Sequence, residues 1–91
     1  MESNKKKYQA GLDKTKDYLK KNPEPVIRDI CDQAGLTDKE TTMIVLKFRK
    51  GKQRDYLSYE LGMSSGRFSV KMTNILRVLK NTLISLGFID E

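Results

Sequence analysis

Basic and amide side chains recur at three- and four-residue steps in the C-terminal half of the chain. Arg67, Lys71 and Asn74 follow one another at the spacing of one helix face. Arginine pairs with guanine and asparagine with adenine, and lysine binds bases or phosphates. Together with Ser65, which opens the same segment, these side chains are candidates for reading base edges in double-stranded DNA.

The densest positive charge lies just before this segment. Lys47, Arg49, Lys50, Lys52 and Arg54 surround Gly51 within a few residues. The net charge of the whole chain is +6, and residues 36–86 carry ten Lys and Arg against four Asp and Glu. A polyanion partner is the natural inference, and a solvated basic surface without a partner is the alternative.

Other kinds of site find little support in the residue types. The chain has no histidine, which excludes a Cys/His zinc site and imidazole-based catalysis. Its single cysteine, Cys31, lies among apolar residues and is expected to be a buried core residue. The serines around Gly66 form no nucleophile elbow, and no glycine loop ends in Lys-Ser or Lys-Thr. We therefore expect no enzyme activity, no metal and no cofactor.

A short helix, a tight turn and a longer helix must position the candidate reading residues. Leu57 and Leu61 share one helix face, Gly62 can end that helix, and Ser64 can cap the next one. The second helix, predicted over 64–86, has an apolar stripe of Phe68, Met72, Ile75, Leu76, Leu79, Leu83 and Leu86. This helix-turn-helix pattern places its second helix in a DNA major groove.

Three further helices are predicted before this unit. The first spans about 8–21 with a stripe of Tyr8, Leu12, Thr15 and Leu19, and the second spans about 25–34 and stops at Gly35. A capping box at Thr37 and Glu40 starts the third, whose apolar residues 43–48 indicate a central position. The expected fold is therefore a small all-α bundle of about five helices.

The N-terminal third is the least informative part of the chain. Residues 1–35 are expected to form a helical pair preceded by a disordered head, residues 1–7, whose basic run is Lys5–Lys7. Residues 36–91 are expected to form the helix-turn-helix region of one compact domain. The head could be a basic DNA-contacting arm, and the pair could be a brace or a partner surface. Leu79, Leu83 and Leu86 could face the first helix or form a homodimer seam. No apolar run approaches membrane-spanning length and no signal peptide opens the chain, so a cytoplasmic location without membrane contact is expected.

Residues 36–80 resemble region 4 of bacterial sigma factors. The matching motifs are Leu36-Thr37-x-x-Glu40, the apolar helix 43–48, Leu61-Gly62-Met63-Ser64, and a closing Ser64-x-Gly66-x-Phe68-x-x-Lys71-Met72. The sequence departs from the family pattern at Leu57-Ser58 and at Val70. Because the other sigma regions are absent, the resemblance indicates a small stand-alone protein of the kind found in bacteriophages and mobile elements.

The resemblance implies two partners. The link before the fourth helix would lie beside the DNA backbone, which makes Lys47, Lys50, Lys52 and Arg54, with Ser64 and Arg77, candidates for phosphate contacts. Region 4 also docks on the β flap of RNA polymerase. The expected function is thus DNA binding in transcription regulation. The alternative is an interaction module that binds RNA polymerase or a sigma factor, or dimerises, without reading DNA.

Overall fold

Five helices follow one another in the part of the chain that the structure describes. The structure is a computed structural model that describes the backbone of residues 2–90 and the side chains of residues 12–90. The helices are α1 (Glu2–Lys21), α2 (Glu24–Gln33), α3 (Asp38–Phe48), α4 (Arg54–Glu60) and α5 (Ser65–Ser85). No strand occurs within residues 2–90, so the predicted all-α bundle is confirmed.

Helix α1 begins earlier than its sequence pattern indicates. Its backbone is helical from Glu2, so it includes Lys5–Lys7, which were expected to form a disordered head. Residues 2–10 contain neither proline nor glycine, and lysine, glutamine and alanine are good helix formers. The side chains of Lys5–Lys7, the predicted basic arm, lie outside the part of the chain whose side chains are described. The same holds for Tyr8, the first position of the predicted apolar stripe.

Local signals set the limits of α2 and α3. Gly35 follows α2 with a φ of 77°, a left-handed conformation that glycine adopts without a steric penalty. At the start of α3 the Glu40 N–H donates to Thr37 Oγ1 at 3.2 Å, and the Thr37 N–H donates to Glu40 Oε1 at 2.9 Å. The capping box and the glycine stop are therefore both confirmed.

One apolar cluster joins all five helices. Its buried members are Leu19, Ile27, Ile30, Cys31, Met43, Ile44, Val45, Leu57, Phe68, Met72, Ile75, Leu76, Leu79 and Leu83. Leu79 and Leu83 are fully buried on α5, which packs extensively against α1. These leucines thus face the protein's own core. Leu86, predicted to continue their stripe, is the C-cap of α5 and is 40% exposed, because it lies at the edge of the core, where it borders a shallow depression with Tyr18 and Phe88.

The C-terminal segment of the chain packs against the last turns of α1 beside this cluster. The Phe88 ring stacks on Tyr18 with a centroid separation of 5.6 Å. The Phe88 N–H donates to the Leu83 carbonyl oxygen at 2.9 Å, which turns the chain back towards α1. The radius of gyration is 13.0 Å, as for a compact domain of this length. None of the helices in the described part is both long and apolar enough to cross a membrane.

Candidate nucleic-acid interface

The turn between α4 and α5 fixes the direction of the candidate reading helix. Gly62 has a φ of 67°, and the Met63 N–H donates to the Ser58 carbonyl oxygen at 2.9 Å. Ser64 then caps α5, since its Oγ accepts from the Arg67 N–H at 3.2 Å. Beneath the turn Leu57 and Phe68 are buried together in the core. The predicted helix, glycine turn and capped helix are present.

Helix α5 presents one exposed face near its N-terminus, which we call the outward face. It is formed by Gly66, Arg67, Val70, Asn74 and Arg77, all of them exposed. The six buried residues of α5 occupy the other side of the helix. Val70, 63% exposed, lies between Arg67 and Asn74 on this face. The outward face is thus a mixture of cationic, amide and apolar groups that is accessible to a partner.

Lys71 lies at the edge of the outward face and is held by an ion pair. Its Nζ is 3.1 Å from Glu40 Oε2, whereas Glu40 Oε1 accepts from the Thr37 N–H. The Thr37 N–H, aided by Lys71, holds the pKa of the Glu40 carboxyl below its usual range. This carboxylate therefore competes with a base or a phosphate for the Lys71 ammonium group.

Ser65, the remaining base-reading candidate, points elsewhere. Its Oγ donates to Asp55 Oδ1 of α4 at 3.3 Å. Helical geometry also places Ser65 away from Arg67, because two residues correspond to about 200° of rotation around a helix, which puts the two side chains on nearly opposite sides. Of the four sequence candidates, the structure therefore brings Arg67 and Asn74 together, keeps Lys71 beside them, and separates Ser65.

A second feature, the basic cleft, lies on the other flank of α5. It has a volume of about 560 Å³ and is bordered by α1, by the link between α3 and α4, and by α5. Five cationic residues line it, and none of its lining residues is Asp or Glu: Lys16, Lys20, Lys47, Lys52 and Arg54. Phe68, Met72 and Leu76 contribute apolar surface. Arg54 also pairs with Asp55 outside the cleft, with 3.9 Å between Nε and Oδ1. A group of cations around a cleft that no carboxylate lines is suited to an anionic ligand.

The cations on the α3–α4 side of the basic cleft have defined positions. The Arg54 Nη1 donates to Ser69 Oγ at 3.4 Å, which directs the guanidinium across to α5. The Lys52 Nζ lies 5.0 Å from the centroid of the Tyr56 ring, an attractive cation–π arrangement. Lys47, like these two, lines the cleft.

The other three phosphate candidates have different surroundings. Lys50 does not line the basic cleft, and its Nζ is 3.7 Å from Glu24 Oε1. Hydrogen bonding to Arg28 is the main reason why the pKa of Glu24 lies below its ordinary value. Ser64 is occupied as the α5 cap, and Arg77 lies on the outward face. The six candidates are thus distributed over several surfaces.

Lys16 and Lys20 of α1 are the residues that the sequence reasoning missed. They are four residues apart and share one flank of α1, with Thr15 and Leu19 buried beside them. The Arg49 Nη1 donates to the Lys20 carbonyl oxygen at 2.7 Å and so ties the α3–α4 link to the end of α1. Their common flank was visible in the sequence, but no local pattern indicated what it would face.

Cys31 lies in the apolar core. Cys31 is fully buried, as predicted, and burial raises the pKa of its thiol to about 11. Among the described residues no group of three or more Cys, Asp and Glu is arranged to hold a metal ion.

Comparison of the chain with models of protein families, with characterised proteins and with solved structures finds no match. The inference of function therefore rests on the helix-turn-helix geometry, on its charges and on the motifs named above.

Proposed function

We propose that the chain binds double-stranded DNA as a transcription regulator, with α5 in the major groove. The observation that carries this proposal is the outward face of α5, which the Gly62 turn and the Ser64 cap hold clear of the core. A recognition helix contacts base edges through its N-terminal turns. Arg67, Val70 and Asn74 occupy those turns and are exposed.

Each of these side chains has chemistry suited to a base edge. Arg67 pairs with the O6 and N7 acceptors of guanine, and Asn74 pairs with adenine. Val70 contacts the methyl group of thymine, which is an apolar contact in the same groove. Lys71 joins them when it exchanges the carboxylate of Glu40 for DNA. Ser65 serves the site indirectly through its bond to Asp55.

The basic cleft supplies the phosphate contacts that hold the helix in register. Lys47, Lys52 and Arg54 line it, directly beside α5. A duplex backbone next to the major groove passes along the flank of the helix that lies in the groove. Phosphate contacts of this kind supply affinity without reading sequence. The resemblance to sigma region 4 supports the same arrangement and adds RNA polymerase, through its β flap, as a second proposed partner.

One pair of variants tests the division between reading and holding. Arg67→Ala is expected to relax the preference at one base pair, with a loss of about 1–3 kcal/mol on a site selected from random DNA. Lys52→Ala is expected to weaken binding to all sequences alike and to reduce the slope of log K against log salt by about one.

Binding would be measured by fluorescence anisotropy at several salt concentrations, with Lys21→Ala as the control. Lys21 is exposed and pairs with Asp17 instead of lining the basic cleft. Equal losses on selected and random DNA for Arg67→Ala would remove Arg67 from the reading role.

A protein-interaction function is the second candidate, and the apolar part of α5 favours it. Val70 and Val78 are 63% and 41% exposed, and Met63 and Val70 line a shallow depression of about 430 Å³. Such a surface suits a protein partner, including a polymerase subunit, a sigma factor or a second copy of the chain. Salt separates the candidates, because DNA binding weakens steeply with added salt and apolar association much less. Selection from random DNA without any enriched sequence would favour this second function.

A further inference from the structure

Helix α1 carries a pair of lysines that complete the basic cleft. Lys16 and Lys20 line it from one side, and Lys47, Lys52 and Arg54 line it from the α3–α4 side. The five cations belong to two segments that are distant in sequence, and no carboxylate lines the cleft. Like charges gathered in this way oppose folding, so the arrangement is most readily explained by a ligand that neutralises them.

A specific contact holds the two sides of the basic cleft together. The Arg49 guanidinium donates to the Lys20 carbonyl oxygen at 2.7 Å, across 29 residues of sequence. This bond satisfies a carbonyl of the last turn of α1, a group that has no partner within the helix. It also fixes the Lys20 backbone against the segment that carries Lys47 and Lys52.

The opposite flank of α1 has a different electrostatic character. Lys14 and Lys21 lie there near Asp17 and Asp90, and the Lys21 Nζ is 2.7 Å from Asp17 Oδ2. Only the flank with Lys16 and Lys20 therefore faces a cationic cleft that no carboxylate lines.

We propose that Lys16 and Lys20 bind the phosphodiester backbone of DNA, so that α1 is part of the nucleic-acid interface. This inference rests on the proposed function, because the backbone reaches the basic cleft when α5 lies in the major groove. The cleft adjoins the Ser69 and Thr73 flank of α5, which is the flank that a DNA strand follows. Helix α1 is thus a second wall of the phosphate site as well as a brace for the core.

The test compares two double variants of the full chain with equal charge. Lys16→Gln with Lys20→Gln removes the cleft lysines, and Lys14→Gln with Lys21→Gln removes two lysines from the other flank. If each cleft lysine neutralises one phosphate, the first variant loses about thirtyfold in affinity for selected and random DNA at about 150 mM salt, and its salt slope falls by about two. The control variant is expected to keep the salt slope of the wild-type protein.

The possible outcomes separate this inference from the proposed function. Equal losses in both double variants would mean that only net charge matters and would overturn the role of the cleft lysines. Unchanged binding in the first variant would overturn that role and leave DNA binding by α5 intact. A wild-type chain that binds no DNA would overturn the proposed function and the inference with it.

Labelling of the wild-type chain provides a measurement that needs no variant. An amine-reactive reagent, followed by peptide mass spectrometry, reports the accessibility of each lysine. Saturating duplex DNA is expected to slow modification of Lys16 and Lys20 at least severalfold, and to leave Lys14 and Lys21 unchanged. A second labelling experiment replaces the DNA with inorganic phosphate at the same concentration of phosphate groups. Equal protection by inorganic phosphate would indicate a small-anion site and contradict the assignment to a DNA backbone.

Discussion

At the scale of single residues, Glu40 links the start of α3 to the edge of the outward face. Its carboxylate accepts from the Thr37 N–H and pairs with Lys71. Glu40→Gln keeps a side chain that can complete the capping box, so α3 is expected to start at the same residue. The change removes one negative charge beside α5 and releases Lys71. We expect a few-fold gain in DNA affinity and a loss of about 0.3–1 kcal/mol in the free energy of unfolding.

The same variant tests a pH dependence. Because the folded-state pKa of Glu40 lies below its ordinary value of 4.5, its contribution to stability is complete above that pH and is lost as the pH falls through the folded-state pKa. Between pH 7 and pH 3, the melting temperature should therefore decrease less steeply with falling pH for Glu40→Gln than for the wild-type chain. The same decrease in melting temperature at low pH for both proteins would contradict the role assigned to this carboxyl.

At the scale of elements, the turn at Gly62 sets the direction of α5 relative to α4 and so exposes the outward face. Its φ of 67° disfavours a β-branched side chain, and an added Cβ would meet no atom within 4 Å. The penalty for Gly62→Val is thus conformational, about 1–3 kcal/mol. Gly66 offers a matched control, since it lies inside α5 and also has open space around its Cα. Gly66→Ala is expected to stabilise the protein by about 0.5–1 kcal/mol.

Urea unfolding followed by circular dichroism measures both glycine variants. A lower midpoint for Gly62→Val and a higher one for Gly66→Ala are the expected results. Equal midpoints for the two variants would contradict the left-handed assignment of Gly62 and weaken the case for the turn itself.

The elements that could be predicted from sequence are those with local signals. Thr37, Glu40, Gly35, Gly62 and Ser64 each act on residues within a few positions, and all occupy the predicted places. Helical periodicity likewise placed Arg67 and Asn74 on one face of α5, whereas Ser65, which was predicted to join them, bonds to Asp55. Two features had no local signal: the basic cleft, and the engagement of Ser65 by α4. Both depend on how helices that are separate in sequence pack together.

At the scale of the whole molecule, we expect one copy of the chain to discriminate weakly among DNA sequences. The outward face carries few groups that can bind a base edge, chiefly Arg67 and Asn74, whereas the phosphate contacts proposed for the basic cleft are the same for any DNA sequence. One or two base pairings at about 1–3 kcal/mol each give a modest ratio of specific to nonspecific affinity. High specificity then requires a second copy or RNA polymerase to raise the effective concentration of the helix at its site.

Titration of the monomer with its best selected site and with random DNA, at about 150 mM salt, measures this ratio. A preference above about a thousandfold, the low end for dedicated specific binders, would contradict the expectation. Addition of polymerase should increase occupancy of the selected site more than that of random DNA. This second measurement separates recruitment by a partner from the intrinsic recognition by α5.

The burial of Cys31 has a practical consequence for kinetics. It is the only thiol in the chain, it is fully buried, and its raised pKa of about 11 leaves almost no thiolate at neutral pH. A thiol reagent can therefore react only after the contact between α2 and α3 has opened, so the labelling rate reports how often the native state opens there. The labelling rate of Cys31 is thus an intrinsic measure of how often this part of the native state opens. If a ligand binds only the closed state, it will lower the labelling rate of Cys31 in proportion to its occupancy, and no engineered label is needed.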